Sequence, residues 1–531
     1  MFPGAGAHAG LWRDAHPATL TVAPYPGFRL TFEQAEQRES GRYRTWIGRN
    51  AELPGASFVG VATARGYDAV LLVPGTGQFN FHARDGAVLV EEVAASGRDC
   101  GIDDDAAAPF SAALGPGVHY AQAAGSGAAS GGDFRATPPR ALVAPRSVDV
   151  LFLYNAPALA AAAERSNDPL GYLDGYTRAA LETCNLVLQQ SQVDAFVWRH
   201  VGLVAAPAYP AQETIFEELM VVHPDGPLGA FVREVRAEYG ADEVMMWVGP
   251  GARQGAAFGG ATRQTPANAA FAVSILRLTA GTLIMAHEFA HNFGCQHDRA
   301  NVTGGAPEGD GFWGYGLLWA DPPPANRTTS GTVMAYADYL VPYFSNPAIT
   351  LQVTAALERR TDGAVNLGTR TIGFPETDPR AANNVRVLTD HAEALATISA
   401  EKETVPVIFQ HPHDENLFAG QTMTLAVSAS GGGLTFQWSK DGAAIAGANQ
   451  ASFAKVVAPD DAGDYRVAVG NSRGNSTSRA ARVQVAQAPV PAPAPAAVPA
   501  AGGGGGGGGA LSVGATAALV LLLARRLRAG G

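Results

Sequence analysis

A chain of 531 residues is longer than one hydrophobic core organises, so three or four segments are expected. Asp and Glu outnumber Lys and Arg by 48 to 37, a formal charge of −11, and no stretch is basic enough to act as a nucleic-acid-binding domain. All three lysines, Lys402, Lys440 and Lys455, fall after residue 400 in a chain that otherwise uses arginine, and that compositional step marks a domain boundary.

Taken in chain order, residues 1–29 carry no assignable element, and no basic stretch followed by a sustained apolar run marks a signal peptide. Residues 30–140 look β-rich, with 57–64 and 69–73 as candidate strands and 121–146 as a flexible linker. Residues 148–154 (VDVLFLY) form a short apolar run bounded by turn residues, which predicts a buried strand. Helical periodicity follows over 172–190, a strand pattern over 195–204, a helix over 227–239 and a strand over 243–248. This alternation favours an α/β sheet with helices packed on it. Residues 270–276 (AFAVSIL) then precede the most informative segment of the chain.

Residues 287–298 read HEFAHNFGCQHD. The apolar, proline-free stretch before His287 predicts a helix through His291, and i, i+4 spacing puts both imidazoles on one face. Gly294 tolerates positive φ, so the helix can stop and the chain can turn to bring His297 to the same point. Three neutral imidazoles leave a zinc ion its full charge and an open fourth position, where a water is acidified to a pKa of roughly 7. Glu288 sits about 100° round the helix from His287, within reach of that water as its general base. From composition, a chance HExxHxxGxxH is expected in a few chains per hundred thousand.

The motif resembles that of the metzincin metallopeptidases, HExxHxxGxxH with a methionine turn downstream. Here the turn is GTVMAY, residues 331–336, and VPYFSNP follows. Asp298 is similar to the reprolysin branch, and the resemblance, closest to reprolysin-like and peptidyl-Asp metallopeptidases, covers residues 146–400. It implies a mixed-sheet catalytic domain with an active-site helix and one catalytic Zn²⁺. It also implies Met334 as an apolar floor under the site, 381–400 as a closing helix, 341–344 as a wall of the S1′ side, and 270–276 as a substrate-binding edge strand, which is otherwise an ordinary strand of the sheet. Tyr336 is open to two readings: a zinc ligand or oxyanion donor, or a packed aromatic. The segment before a peptidase suggests a propeptide at 30–140, and Cys100 is either the thiolate that holds the zinc in a latent zymogen or an ordinary thiol.

Residues 405–486 resemble an immunoglobulin-like sandwich, with Trp438 as the strand C tryptophan and Tyr465 as the tyrosine corner. Val427 and Val467 stand where that family's cysteines would, so packing alone would hold the core. A Pro/Ala/Gly linker covers 487–509. Residues 510–524 are apolar, and Arg525, Arg526 and Arg528 follow. Such a helix spans about 22 Å against the ~30 Å of a bilayer core, so 510–528 resembles a glycine-tract sorting tail or anchor that directs an exported protein to the cell surface. Of the three cysteines, Cys184 with Cys295 is the preferred disulfide, with reduced cysteines as the alternative.

Two functions are expected from this reading. One is an exported zinc endopeptidase acting on proteins or peptides. The other is a catalytically inactive metzincin-fold adhesion or binding protein that works through its immunoglobulin-like domain.

Overall fold

The computed structural model describes residues 19–93, 146–258, 272–302, 306–320, 329–355, 365–400, 402 and 406–487, apart from breaks of one to three residues. The chain is multidomain and β-rich, with α-helices among the described residues confined to its middle part. Seven strands come first: β1 (Thr19–Tyr25), β2 (Phe28–Ser40), β3 (Tyr43–Arg49), β4 (Ser57–Thr63), β5 (Gly66–Val73), β6 (Gly77–Arg84) and β7 (Ala87–Val93). They pair in sequence order as an antiparallel meander. Period-2 alternation divides β5 between two cores. Ala69, Leu71 and Val73 pack with Phe58, Phe79 and Phe81, while Val70 and Leu72 join Val61 in the core of the middle region.

That middle region contains a five-stranded sheet. Its chain order is β8 (Arg146–Tyr154), α1 (Ala156–Ala163), α2 (Pro169–Gln190), β9 (Phe196–Ala205), α3 (Ile215–Val221), α4 (Gly229–Tyr239), β10 (Glu243–Val248), β11 (Gly255–Ala257) and β12 (Val273–Arg277). Local chemistry sets the helix ends. Asn155 and Asp168 cap α1 and α2 with prolines just inside, Thr214 and Glu217 form a capping box on α3, and Gly240 ends α4 at φ 65°. The strand order is β11-β12-β10-β8-β9, parallel except for β11, which is antiparallel to β12. The expected edge strand is therefore an interior one. All of β12 is buried between β10 and β11, which is why its sequence is continuously apolar, and the edge falls to three residues too short to show a period. Ala270 and Phe271 lie outside the described residues.

The HExxH helix, α5 (Thr282–Phe293), is buried along its whole length. Phe289 and Phe293 pack on Trp198 and Phe196, and Phe289 also meets Phe152. The closing helix, α6 (Asn384–Leu395), is capped by Asn383. The expected Cys184–Cys295 disulfide is absent. Both thiols are buried and free, and they face different carbonyls, of Thr282 and Asn384. Burial pushes both thiols up.

Between residues 406 and 487 the fold is built of strands with one 3-10 turn at Pro459–Asp461, the main sheet running Glu415–Phe418, Ala481–Ala486, Gly463–Asn471, Thr435–Lys440, Ala443–Ala444. Trp438 is its buried centre and donates through Nε1 to the Gln450 carbonyl at 2.9 Å. The Tyr465 hydroxyl donates to the Asp461 carbonyl at 2.8 Å, and Val427 and Val467 are both buried in the same cluster. Among the described residues no helix is long and apolar enough to cross a membrane. The linker and tail from 488 onward lie outside the described residues.

Candidate metal centre

The apolar run 282–286 buries α5, and Gly294 stops it in the left-handed region at φ 102°. A side chain at that φ would be strained, so glycine is what lets the chain reverse within one residue. Residues Gln296–Asp298 then leave as β13, parallel to β14 (Tyr315–Gly316). This return carries His297 back to the helix.

The three imidazoles converge. His291 Nε2 lies 3.0 Å from His287 Nε2 and 3.0 Å from His297 Nε2, and all three rings are buried. The other ring nitrogens are committed elsewhere: His287 Nδ1 donates to the Val333 carbonyl at 2.8 Å and His291 Nδ1 to the Cys295 carbonyl at 2.9 Å. A carbonyl can only accept, so those Nδ1 atoms hold the proton and each Nε2 presents a lone pair to the others. Burial lowers His287 to about 4 and takes His291 and His297 well below the ordinary histidine value, the neighbouring imidazoles adding to the effect. Neutral nitrogens with facing lone pairs repel one another unless a cation sits between them. Zn–N bonds of about 2.0–2.1 Å in a tetrahedron require N to N separations of roughly 3.3 Å, close to those found. The residues present fit a zinc ion.

Glu288, next to His287, is fully buried. Its carboxylate lies against the edge strand so closely that a Cβ on Gly255 would come within 2.7 Å of Oε1 and 2.9 Å of Cγ. Asn292, one turn further along α5, donates to the Phe258 carbonyl at 2.7 Å and ties the end of that strand to the helix.

Residues 331–336 form a turn close to the histidines, Val333 accepting from His287. The backbone of the turn is held by Ala335 N–H to Thr332 O at 2.8 Å, Val333 N–H to Tyr343 O at 2.9 Å and Thr332 N–H to Leu317 O at 2.9 Å. Met334 is fully buried, and Gly316 lies so close to its backbone that a Cβ there would come within 2.6 Å of the Met334 carbonyl carbon. Segment 341–344 follows directly behind the turn and is buried. The ring of Tyr336 packs on His297 with centroids 4.2 Å apart and lies 6.4 Å from that of His287. Asp298 joins the two halves of the site. It accepts from the Tyr336 N–H at 2.9 Å, from Ala300 N–H at 3.2 Å and from Asn301 Nδ2 at 2.8 Å. Burial raises the Asp298 carboxyl, and these hydrogen bonds oppose the rise.

The structure thus brings His287, His291 and His297 together, with Glu288 beside the first on α5 and the Tyr336 ring packed on the third. Cys100 lies outside the described residues. Sequence reasoning missed Gly255, Asn292 and the bridging part of Asp298. Only Asn292 carried a local signal, because asparagine is unfavourable inside a helix unless its side chain is used.

No protein-family model matches the chain, and no curated protein matches it. A solved structure described as "Structure of a chaperone-substrate complex" is similar over 63% of this chain at 15% identity and a TM-score of 0.34, and the chain spans 44% of its length. A chimeric titin Z1Z2 bearing an exogenous peptide from decorin is similar over 15% of this chain and 95% of its own, at 24% identity and a TM-score of 0.14. Tandem Ig repeats of Dlar are similar over 15% of this chain and 48% of their own, at 23% identity and a TM-score of 0.15. At these scores the likenesses define neither the fold nor the activity of this chain.

Proposed function

We propose that the chain is a zinc-dependent endopeptidase of metzincin type, with an immunoglobulin-like module after the catalytic region and a tail that directs it to the cell surface. The observation that carries this reading is the convergence of three buried Nε2 lone pairs beside a buried glutamate, with Nδ1 of two of the rings bonded to backbone carbonyls.

When bound, a single zinc ion supplies the Lewis acidity that polarises a carbonyl and brings a water to a pKa of about 7. His287, His291 and His297 would hold it through Nε2, and the Nδ1 hydrogen bonds of His287 and His291 fix the orientation and tautomer of those rings. A carboxylate oxygen of Glu288 accepts the water's proton and passes it to the leaving amine nitrogen. The Tyr336 hydroxyl donates to the oxyanion that forms at the scissile carbonyl. Strand β11 ends the strand order of the sheet among the described residues, and an extended peptide substrate adds beside it as a strand.

The full chain is expected to bind one zinc and to cleave a generic unfolded protein in a chelator-sensitive manner. Glu288→Gln should retain the zinc and lose about 10²–10⁴-fold in kcat. A chain that binds one zinc yet cleaves no more than Glu288→Gln does would refute the peptidase reading.

A further inference from the structure

The first turn of the zinc-ligand helix α5 lacks a cap of its own. Its N-cap residue is Gly281, which has no side chain to accept from the exposed N–H groups of the turn. The acceptor comes from the N-terminal sheet instead: Thr282 N–H donates to Gln78 Oε1 on β6 at 2.6 Å.

Gln78 is itself held on both sides. Its Nε2 donates to Asn80 Oδ1 at 2.6 Å, Asn80 Nδ2 donates to the Tyr176 hydroxyl at 3.3 Å, and that hydroxyl donates to the Ala280 carbonyl at 3.2 Å. The chain of contacts closes on the two residues that flank Gly281. It is buried throughout, with Gln78 1% exposed and Asn80 3%.

A second buried cluster lies on the same face of the sheet. His82 Nδ1 is 3.0 Å from Asp68 Oδ1, the Tyr172 hydroxyl is 3.3 Å from His82 Nε2, and Arg165 Nε donates to Glu91 Oε1 at 2.8 Å. Apolar groups fill the remaining space. Val61, Val70 and Leu72 share one core with Phe289 of α5, and Ile47 and Val59 enclose Leu186 of α2. This is the close, buried packing of a domain interior, unlike the more polar contact of segments that separate.

We propose that the N-terminal sheet is a permanent half of the catalytic unit, and that Gln78 is a positioning residue that fixes the start of the zinc-ligand helix. The proposal rests on the peptidase reading for its consequence in catalysis, but its structural content is independent of it. Thr282 stands five residues before His287, about 7.5 Å along the axis, so a frayed first turn would let the helix shift against the sheet and spoil the convergence of the Nε2 atoms. A maturation cut between residues 94 and 145 would then leave the sheet in place.

Two measurements on the full chain test this. In the first, Gln78→Met, Gln78→Glu and the unaltered protein are compared by amide hydrogen exchange over 282–285, by competition for zinc with a chromophoric chelator, and by kcat and KM. Gln78→Met is expected to exchange these amides about fivefold faster or more, to bind zinc more weakly, and to lose kcat with KM little changed. Gln78→Glu keeps the acceptor oxygen toward Thr282 but loses the donor to Asn80, so it should recover part of the protection that Gln78→Met loses. Unchanged exchange and zinc affinity in Gln78→Met would overturn the positioning role, whether or not the protein proves to be a peptidase. In the second, limited proteolysis within 94–145 is followed by native gel filtration. The sheet fragment should co-elute with the zinc-binding fragment and leave only in denaturant. A sheet that departs while the remainder keeps its zinc and its protected 282–285 amides would overturn the proposal.

Discussion

At the scale of single residues, the site is built from contacts that leave no room for change. The Gly255 Cα faces the Glu288 carboxylate, so Gly255→Ala pushes a methyl to within 2.7 Å of Oε1. That carboxylate must turn away, and kcat should fall with zinc content unchanged, as assayed by turnover and metal analysis. Overpacking of this kind typically costs about 1–3 kcal/mol, visible as a lower Tm. Asp298→Ala removes the acceptor of Tyr336 N–H and Asn301 Nδ2 together, which loosens the third-histidine loop from the methionine turn. Zinc affinity should drop roughly 10- to 100-fold in chelator competition. Tyr336→Phe keeps the ring on His297 and removes only the hydroxyl. A loss of about 10²–10³-fold in kcat is expected of an oxyanion donor, whereas an unchanged kcat would assign the ring to packing alone.

At the scale of elements, what was legible in the sequence followed from period and capping. Strand β8, helix α2 and the HExxH helix announce themselves because each buries an unbroken apolar face, and the helix ends carry Asp168, Gly240 and Gly294 in the expected places. The ligand set was equally plain, since i, i+4 histidines followed by glycine and a third histidine leave few geometries. What stayed hidden were elements defined by partners. Strand β11 is three residues long and becomes an edge only because β12 lies beside it. Strands β2 and β7 fall in the stretch expected to be β-rich but are not singled out within it, because β2 carries five charged residues among its thirteen and β7 has two adjacent glutamates. Gln78 has no sequence signature at all, because its function depends on a helix 204 residues away. In the C-terminal strands the buried tryptophan and tyrosine were legible, and Tyr465→Phe, which deletes a 2.8 Å hydrogen bond, should destabilise them by about 1 kcal/mol in denaturant unfolding.

At the scale of the whole molecule, docking of the N-terminal sheet should depend on pH. Burial by itself would lower His82, but hydrogen bonds to Asp68 and Glu91 outweigh it and raise the imidazole above its usual 6.5. Its contribution is complete below 6.5 and is lost as pH rises through the higher folded value. Burial would raise Glu91, but His82 and Arg165 hold it below its usual 4.5, so its contribution is present above 4.5 and lost as pH falls through the lower folded value. The groups facing His82 are Asp68 on β5, Glu91 on β7 and Tyr172 and Tyr176 on α2, with Arg165 beyond Glu91, and both tyrosines are raised chiefly by burial and stay protonated. Protection of the 282–285 amides should therefore be greatest between about 4.5 and 6.5, and His82→Gln should flatten the decline on the alkaline side. Deleting residues 1–145 should weaken zinc binding instead of releasing a more active enzyme, which metal titration of the truncated chain would measure.

The hydrogen bond from Thr282 to Gln78 also sets an order in time. The meander pairs only neighbouring strands and leaves the ribosome first, so it can fold while the zinc ligands are still unmade. The helix is made after the residue that supplies its capping oxygen, and Met334 follows some fifty residues later still. The centre proposed to cut polypeptides is thereby completed last in synthesis, after the sheet that supplies its capping oxygen.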